Sequence, residues 1–561
     1  MSNDRTVSSV ACALLAVLVL TGLVNLAVKL KEVQLDDTVF YSSAGEKQST
    51  RRIRTDGPRG RIFDRHGRLI AGNRVVFSIA CDAAFHQKNS LSNTVQSVMT
   101  EVGRLAAALG RAPSVGAAGL ADSIRRRGAM PVELWKELSG TELARFEERS
   151  RDFPGFYVTV DDDRYYPEAP TAAKLIGSTS NAPGETDLAE KFYMATNELR
   201  GREGLECYYD AYLRGVPGED RIRINSLGYA AERWTVDPAR PGLDLTLALD
   251  LDLQREAEAQ LEGCQGACVA IDPRNGDILA AASSSGYFLA FGGEYAPGST
   301  FKPITALAGL KAGWPTGELY DCDGAFGTGP ARLRCSSRWG HGPVDIKRAL
   351  MKSCNPFFCN LGCDIGTNAL FTAARAFGLG ERTGVDYVLD RAGIVPDAEL
   401  KARVFHDAWR SSDVALTSIG QGMLLVTPLQ MARVAGAIAT GYLVKPRLNR
   451  ALAVERKRLP FAEAQLATVR TGMRMVVAGD GTSRGTGWRG GEGVPVEVCG
   501  KTGTAEVGSG ESRRKNTWFI AYAPAREPEI AVAMVIERGE SGGGTTAPKV
   551  AAVLAKRFGG K

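Results

Sequence analysis

The chain is poor in histidine and has no block of basic residues. Its 561 residues include four histidines, at His66, His86, His341 and His406. A Ser-His-Asp hydrolase needs one of them as its base, but His341 lies between two glycines and is predicted to be structural, so this enzyme class is disfavoured. The net charge of +6 is small for the length. Nothing in the sequence therefore indicates a nucleic-acid partner.

The chain also lacks a recognisable metal-binding motif. Eleven cysteines are present, but none forms a C-x-x-C pair combined with the histidine spacing of a zinc site. We therefore expect no metal and no cofactor. Cys322 and Cys335 flank a glycine-rich loop (324–329), and a disulfide bridge between them is expected if this part of the chain is exported.

Long apolar runs are absent except at the amino terminus. Residues 7–28 are apolar or weakly polar, which is long enough to cross a hydrocarbon core of ~30 Å. A cleaved signal peptide is the competing interpretation, but the run is longer than usual for one and lacks a clear small-x-small end. We favour a transmembrane anchor over residues 7–28, preceded by a short tail over residues 1–6.

A serine and a lysine stand one helical turn apart at the start of an apolar helical pattern. Ser299 and Lys302 would share one face of this helix, and Pro303 falls in the first turn, where its missing N–H costs nothing. The pair has the chemistry of a nucleophile with its base beside it. Ser512 and Lys515 have the same spacing, but they lie in a run of Gly, Ser and Arg that predicts a solvated loop.

Two further motifs favour a catalytic role for Ser299 and Lys302. Ser353 and Asn355 form a Ser-x-Asn motif between an amphipathic run and a new helix start, so both side chains are predicted to come from a loop. Lys501 opens a Lys-Thr-Gly motif after the alternating apolar residues 494–498, which predict a strand. In this order, the three motifs match those of the penicillin-recognising serine enzymes.

Over nearly its whole length the chain resembles the class B penicillin-binding proteins, which are membrane-anchored peptidoglycan transpeptidases. The runs that carry the resemblance, besides the three motifs, are 59–67, 164–167, 204–215, 270–276 and 420–430. The resemblance implies an α+β transpeptidase domain, with an antiparallel sheet flanked by helices, preceded by an elongated mixed α/β pedestal domain and one transmembrane helix. Pro, Gly and Arg cluster at 238–241, so we place the pedestal at 29–235 and the transpeptidase domain at 236–561.

The resemblance also implies a role for each motif residue. Ser299 is the nucleophile that becomes acylated, and Lys302 is the base that takes its proton. Lys501 tunes Lys302, Ser353 helps to shuttle the proton, and Asn355 holds the peptide of the substrate.

The Lys-Thr-Gly strand is implied to bind the substrate. The hydroxyls of Thr502 and Thr504, on either side of Gly503, resemble those that hold the terminal carboxylate. The backbone N–H groups of Ser299 and Thr504 would form the oxyanion hole. The expected ligands are peptidoglycan stem peptides ending in D-Ala-D-Ala, with β-lactams as inhibitors, and the expected partner is a SEDS-family glycan polymerase.

Several alternatives belong to other classes. A β-lactamase would not carry more than two hundred residues ahead of the motifs, a β-lactam sensor would have several membrane spans, and a glycosyltransferase domain does not fit between Lys31 and Arg59. A catalytically silent β-lactam-binding scaffold and a division transpeptidase stay open as alternatives. The run Gly340–His341–Gly342 is closer to the cell-elongation subclass.

The orientation in the membrane is a separate question. The basic residues after the anchor, counted by charge, favour a main body in the cytoplasm. The family places the main body outside the inner membrane, and we follow the family.

Overall fold

An exposed apolar helix opens the chain. In the computed structural model, which describes residues 3–127, 130–183, 193–194, 197–225, 229–284, 286–327, 332–508 and 513–559, the first helix, α1, runs from Asn3 to Lys31. The segment Val10–Asp36 contains an 18-residue window with a mean hydropathy of 2.5, none of it buried. Within those ranges it is the one helical segment long and apolar enough to cross a membrane. The predicted anchor at 7–28 lies within α1.

The amino-terminal domain is a mixed α/β unit, as predicted. Its further helices are α2 (Thr38–Ser49), α3 (Leu91–Leu109), α4 (Ala117–Arg127), α5 (Gly140–Glu147), α6 (Ala173–Ile176), α7 (Gly204–Tyr208) and α8 (Asp210–Leu213). Its strands are β1 (Thr50–Thr55), β2 (Ile62–Phe63), β3 (Leu69–Cys81), β4 (Val132–Trp135), β5 (Phe156–Tyr165), β6 (Thr179–Pro183), β7 (Tyr193–Met194), β8 (Asn197–Gly201), β9 (Gly218–Ile224), β10 (Ala230–Asp237) and β11 (Leu245–Thr246).

Two sheets organise this domain. One has the order β10-β9-β1-β7, and the other has the order β11-β2-β3-β4 with β5 paired to β3. The apolar stripe of α3 packs on the second sheet, because Val98, Val102 and Leu105 are buried in one cluster with Ile79 and Trp135. Strand β11 pairs in parallel with β2, so the chain contributes to this sheet again just after the predicted boundary at 235/236. That boundary stays a prediction.

A buried ion cluster holds three of the resemblance runs together. Glu206 is fully buried, and its carboxylate accepts hydrogen bonds from Arg59 Nε and Arg164 Nε, both at 2.7 Å. Arg59 Nη1 also donates to Asp210 Oδ1 at 2.7 Å, and Arg164 Nη1 donates to the carbonyl of Gly60 at 2.8 Å. The runs at 59–67, 164–167 and 204–215 are therefore parts of one polar core.

The carboxy-terminal domain combines helices with one main sheet. Its helices are α9 (Leu251–Ala259), α10 (Leu289–Gly292), α11 (Lys302–Lys311), α12 (Ile346–Lys352), α13 (Asn355–Ala376), α14 (Ala398–Phe405), α15 (Ser411–Ser418), α16 (Pro428–Thr440), α17 (Glu463–Ala478) and α18 (Ala547–Gly559). Its strands are β12 (Gly266–Ile271), β13 (Ile278–Ser283), β14 (Tyr320–Cys322), β15 (Ala325–Phe326), β16 (Leu333–Arg334), β17 (Gly342–Val344), β18 (Tyr442–Val444), β19 (Arg456–Arg458), β20 (Cys499–Val507), β21 (Arg514–Ala523) and β22 (Ile530–Glu537).

The main sheet is antiparallel, as predicted, and it is built from both ends of the domain. Its order is β13-β12-β22-β21-β20. Alternate residues of each strand enter different cores: Val269 and Ile520 pack with α16, whereas Ala270 and Ala521 pack with α9 and α18. Helices therefore cover both faces of the sheet. β20 forms one edge of this sheet and lies against the turn formed by Gly298–Phe301.

The strand prediction around 494–498 was wrong in extent. β20 begins only at Cys499, and the preceding alternating valines lie in turns and irregular backbone. Val494 and Val496 are partly buried against the core that also contains Val498. The alternating apolar residues are at least partly buried here, but they are not paired with a neighbouring strand.

The two domains meet at a buried hydrogen-bonded carboxylate. Tyr209 Oη donates to Asp386 Oδ2 at 2.6 Å, while the same carboxylate accepts from the backbone N–H groups of Leu448 and Asn449. Burial raises the pKa of Asp386 and raises that of Tyr209. The contact places the run at 204–215 directly against the carboxy-terminal domain.

We predict that Glu206→Gln lowers the thermal unfolding midpoint of the full chain. Removing one partner of a buried ion pair leaves a buried charge uncompensated and costs about 3–5 kcal/mol. The matched control is Glu203→Gln, because the Glu203 side chain is exposed and its ion pair with Arg202 spans 4.0 Å. Differential scanning fluorimetry of the detergent-solubilised protein measures the effect. Equal midpoints for the two variants would contradict the role of the ion cluster.

Candidate active site

The nucleophile lies in a tight turn that leads into a buried helix. Residues Gly298–Phe301 form a 3-10 turn, and α11 follows from Lys302. Gly298 has φ +54°, and a side chain there would collide with the carbonyl of Thr504. Its N–H donates to the carbonyl of Gly420 at 2.8 Å. The turn thus brings Ser299, which is partly exposed, to the edge of β20.

Lys302 is completely buried beside the Ser-x-Asn motif. Its Nζ donates to the Ser353 carbonyl at 2.7 Å, to Asn355 Oδ1 at 2.6 Å and to Ser353 Oγ at 3.3 Å. Ser353 connects α12 to α13 with φ +54°, a left-handed conformation that turns both motif side chains toward the lysine. The predicted loop origin is confirmed for Ser353 but was wrong for Asn355, which is the first residue of α13.

A second buried lysine completes the centre. Lys501 lies on β20, and its Nζ donates to Ser353 Oγ at 2.9 Å and to the Thr502 carbonyl at 3.0 Å. The Ser353 hydroxyl therefore lies between the two amines of Lys302 and Lys501. The structure brings together four of the five residues predicted to carry the chemistry through direct hydrogen bonds, and Ser299 lies one turn from Lys302.

Burial sets the protonation of both amines. It lowers the pKa of Lys302 to about 8. The pKa of Lys501 lies well below its usual value, first because it is buried and second because the positive charge of Lys302 opposes a second charge. A lysine in this environment is neutral often enough near neutral pH to accept a proton.

The strand that carries Lys501 is fitted closely to the nucleophile turn. Gly503 leaves no space for a side chain, because an added Cβ would lie 2.8 Å from Thr300 Cγ2 and 2.9 Å from the Pro297 carbonyl. Thr502 Oγ1 is 3.0 Å from Thr486 Oγ1, and Thr504 Oγ1 accepts a hydrogen bond from a backbone N–H of residue 542 at 3.4 Å. The structure brings the Lys-Thr-Gly strand to the turn that carries the nucleophile, as the motif implies.

Three supporting residues escaped the motif search. Gln421 Nε2 donates to the Thr504 carbonyl at 3.3 Å, Thr486 Oγ1 donates to the Met351 carbonyl at 3.2 Å, and the Arg334 carbonyl accepts from Asn355 Nδ2 at 2.8 Å. All three contacts involve a backbone carbonyl, and each joins separate segments of the chain. Short-range sequence patterns carry no signal for such contacts, although Gln421 belongs to the run at 420–430.

The expected disulfide between Cys322 and Cys335 is not formed. Both are free thiols, and both sulfurs face the same ring nitrogen, His341 Nδ1, at 3.8 Å and 3.4 Å. Cys354, the middle residue of the Ser-x-Asn motif, completes this group. The two sulfurs thus face a shared histidine nitrogen.

These four residues can hold a metal ion, which departs from the expectation of no metal site. The ligand atoms of Cys322, Cys335, His341 and Cys354 all lie within 4.8 Å of one another. Three thiolates and an imidazole are a donor set that Zn²⁺ takes in closed structural sites. The neighbouring Cys354 thiol, followed by His341, lowers the pKa of Cys335, which favours the thiolate form that a metal ligand requires. The spacing search missed the group because no two of its cysteines form a C-x-x-C pair.

The second Ser-x-x-Lys spacing shows no such surroundings. Ser512 lies outside the described residues, and Lys515 is an exposed residue of β21. Lys515 was predicted to lie in a solvated loop, and this was wrong. It lies on β21, opposite Glu506 of the neighbouring strand β20.

The fold and the site define a serine acyl-transferring enzyme of the penicillin-recognising type. The model of the penicillin-binding protein transpeptidase domain matches residues 266–556, and that of the penicillin-binding protein dimerisation domain matches residues 54–247. The first match alone covers more than half of the chain. The chain belongs to the class B penicillin-binding proteins.

Individual relatives agree over nearly the full length. The chain is 31% identical to the peptidoglycan D,D-transpeptidase MrdA of Acinetobacter baumannii, over 94% of this chain and 84% of that protein, and 28% identical to MrdA of Escherichia coli K12, over 94% and 91%. A solved complex of PBP2 and MreC from Helicobacter pylori matches with a TM-score of 0.76 and 25% identity, covering 90% of this chain and 98% of that one. The resemblance to the family and to its cell-elongation subclass is confirmed.

We predict that the reduced full-length protein binds about one Zn²⁺ per chain at the cysteine–histidine group. His341→Ala removes one of four ligands and should lower the zinc content and the unfolding midpoint together. His406→Ala is the matched control, because His406 is exposed at the end of α14. Elemental mass spectrometry after dialysis against trace zinc measures the content. Equal zinc in both variants would show that this group does not bind the metal.

Proposed function

We propose that this protein is a peptidoglycan D,D-transpeptidase that cross-links stem peptides through an acyl-enzyme on Ser299, acting in cell elongation. The observation that carries the proposal is the buried position of Lys302, one turn from Ser299 and hydrogen-bonded to Ser353 and Asn355. A buried amine of lowered pKa is the base that a serine nucleophile requires. A structural lysine has no need of this environment, and its burial would be costly without a function.

In the first half-reaction the neutral Lys302 amine takes the hydroxyl proton as Ser299 Oγ attacks the penultimate D-alanine carbonyl. The tetrahedral oxyanion is stabilised by the backbone N–H groups of Ser299 and Thr504. The proton then passes to the departing nitrogen through the Ser353 hydroxyl, which lies between the two lysines. The bond to the terminal D-alanine breaks, and an acyl-enzyme forms.

In the second half-reaction an amine of a neighbouring stem peptide attacks the acyl-enzyme. The same base removes a proton from the amine and returns it to Ser299 Oγ as the ester breaks, and the new peptide bond is the cross-link. Attack by water in place of the amine gives carboxypeptidase activity. A β-lactam acylates the same serine because its ring amide occupies the place of the scissile bond.

The substrate is held by residues of two motifs. Asn355 holds the peptide, and Thr502 and Thr504, on either side of Gly503, hold the terminal carboxylate.

The apolar helix supports a single-pass location in the cytoplasmic membrane, with the two folded domains outside. The pedestal spans residues 29–235 and the transpeptidase domain spans 236–561 in this proposal. The solved relative from Helicobacter pylori is in complex with MreC, which supports a partner of that kind for this chain. A SEDS-family glycan polymerase would supply the strands that are cross-linked.

We predict that Ser299→Ala abolishes labelling by a fluorescent penicillin. Loss of a nucleophile costs at least about 1,000-fold in rate. Ser512→Ala is the matched control, because Ser512 has the same spacing to a lysine and is expected to label like the wild type. In-gel fluorescence of the purified full-length protein measures acylation. Labelling of Ser299→Ala at the wild-type rate would refute the nucleophile, and an unlabelled wild type would favour a silent scaffold.

We predict that the acylation rate rises with pH through a midpoint near 8. A lysine is charged below its pKa and neutral above it, and burial lowers the pKa of Lys302 to about 8. The active fraction of the base should therefore increase from about pH 6.5 to 9.5. Pseudo-first-order rates of penicillin labelling across this range measure the profile. A flat profile, or a midpoint near the ordinary lysine value, would contradict a neutral Lys302 as the base.

A further inference from the structure

Thr486, which belongs to none of the three motifs, contacts the Lys-Thr-Gly strand. It lies in the connection between α17 and β20, and its Oγ1 is 3.0 Å from Thr502 Oγ1. The same Oγ1 donates to the Met351 carbonyl at 3.2 Å, and the Thr486 N–H donates to that carbonyl at 3.3 Å. Met351 lies in the last turn of α12, two residues before Ser353. Thr486 therefore joins the Lys-Thr-Gly strand to the helix that leads into the Ser-x-Asn motif.

Two glycines fix the position of Thr486. A side chain on Gly485 would collide with the Val476 carbonyl, and a Cβ on Gly487 would lie 3.2 Å from Thr502 Cγ2. The Gly487 N–H also donates to the Val476 carbonyl at 2.9 Å. The backbone on both sides of Thr486 is thus packed against α17 and β20, and its hydroxyl has a set place beside Thr502.

The Thr502 side chain is held from two directions. Its methyl group faces Gly487, whereas its hydroxyl faces Thr486, and the residue is only 7% exposed. Within the described part of the chain, Thr486 Oγ1 is the one hydrogen-bond partner of the Thr502 hydroxyl. Thr486 therefore determines which way this hydroxyl points.

The hydrogens of the two hydroxyls can be placed by counting. A hydroxyl has one hydrogen, and the hydrogen of Thr486 goes to the Met351 carbonyl, which can only accept. Thr486 Oγ1 must therefore accept the hydrogen of Thr502. In this arrangement Thr502 offers only lone pairs to a ligand, and a carboxylate also offers only acceptors. Thr502 can hold a carboxylate only if the two hydroxyls reverse their order.

We propose that Thr486 is a positioning residue for the substrate carboxylate, which holds the Thr502 hydroxyl in place and reverses its hydrogen bond when the carboxylate binds. Thr502 then donates to the carboxylate, and Thr486 turns its hydrogen from the Met351 carbonyl to Thr502 Oγ1. The carbonyl keeps the Thr486 N–H at 3.3 Å, so no buried acceptor loses its last donor. The inference rests on the proposed function, in which Thr502 holds the terminal carboxylate.

Removal of the Thr486 hydroxyl would misplace Thr502. In Thr486→Val a methyl group would face Thr502 Oγ1, and a buried hydroxyl without a partner is unfavourable. The Thr502 side chain would turn to another staggered rotamer, and it would have to turn back to meet the carboxylate. A penalty the size of one hydrogen bond corresponds to about a tenfold slower acylation.

The test compares benzylpenicillin, whose carboxylate takes the place of the terminal carboxylate, with its carboxamide, which brings its own donor hydrogens. Intact mass spectrometry of the full-length protein measures the second-order rate constant of acylation. We expect Thr486→Val to react about tenfold more slowly with the acid and no more slowly with the carboxamide. Thr486→Ser keeps the hydroxyl and should react like the wild type. The matched control is Thr468→Val, because the Thr468 hydroxyl donates to the Ala464 carbonyl of its own helix at 2.8 Å.

A double variant shows whether Thr486 acts through Thr502. Thr502→Val should slow the reaction with benzylpenicillin, and the addition of Thr486→Val should slow it no further, because the two side chains form one contact. Additive losses would overturn the proposal. Equal losses for the acid and the carboxamide, or a Thr486→Ser variant as slow as Thr486→Val, would overturn it as well, since each indicates a merely structural role.

Failure of the proposed function would look different. A wild type that is not acylated would overturn the acyl transfer, and this inference with it. A wild type that reacts equally with the acid and the carboxamide would refute the role of Thr502 and therefore that of Thr486. A wild type that prefers the acid, with the same preference in Thr486→Val, would overturn the role of Thr486 alone.

Discussion

The active site depends on keeping one amine out of water. Lys302 has no exposed surface, and its three acceptors come from Ser353 and Asn355. Full burial favours the neutral form of the amine, whereas the neighbouring cysteine thiols, Cys354 first, favour the charged form. The balance gives a pKa of about 8, which suits a base that must take a proton and return it. Each neighbouring element is placed so that it maintains this balance.

The sheet edge and the nucleophile turn provide that placement. Lys501 reaches Ser353 Oγ from β20, and the second charge is suppressed by burial and by Lys302. Gly503 allows the strand to lie against the turn without a side chain between them. Gln421 and Thr486 then attach this strand and the Ser-x-Asn region to their surroundings. The site is therefore formed by rigid elements that approach one another closely.

The amino-terminal domain is tied to the same body by a different polar core. Glu206 joins Arg59 and Arg164, and the adjacent Tyr209 donates to Asp386 of the carboxy-terminal domain. The run at 204–215 thus contributes both to the polar core of the amino-terminal domain and to its contact with the carboxy-terminal domain.

Much of the fold and of the active site could be predicted from the sequence, because the three motifs occur in order and the apolar periodicity is strong. The helix after Ser299 and the loop origin of Ser353 were both predicted by such patterns. The cysteine–histidine group was not, since its members come together only through tertiary folding, and the expected bridge from Cys322 to Cys335 was wrong for the same reason. The irregular stretch at 494–498 was mistaken for a strand because buried loops and edge strands share an alternating pattern.

The central claim is that a neutral Lys302 activates Ser299. Its most direct test is the time course of β-lactam acylation at pH 8 in the wild type and in Lys302→Met, which keeps the length of the side chain and removes the amine. Intact mass measurement with peptide mapping should show one adduct on Ser299 in the wild type and none in the variant over the same time, with both proteins folded. Acylation of Lys302→Met at the wild-type rate would contradict the account.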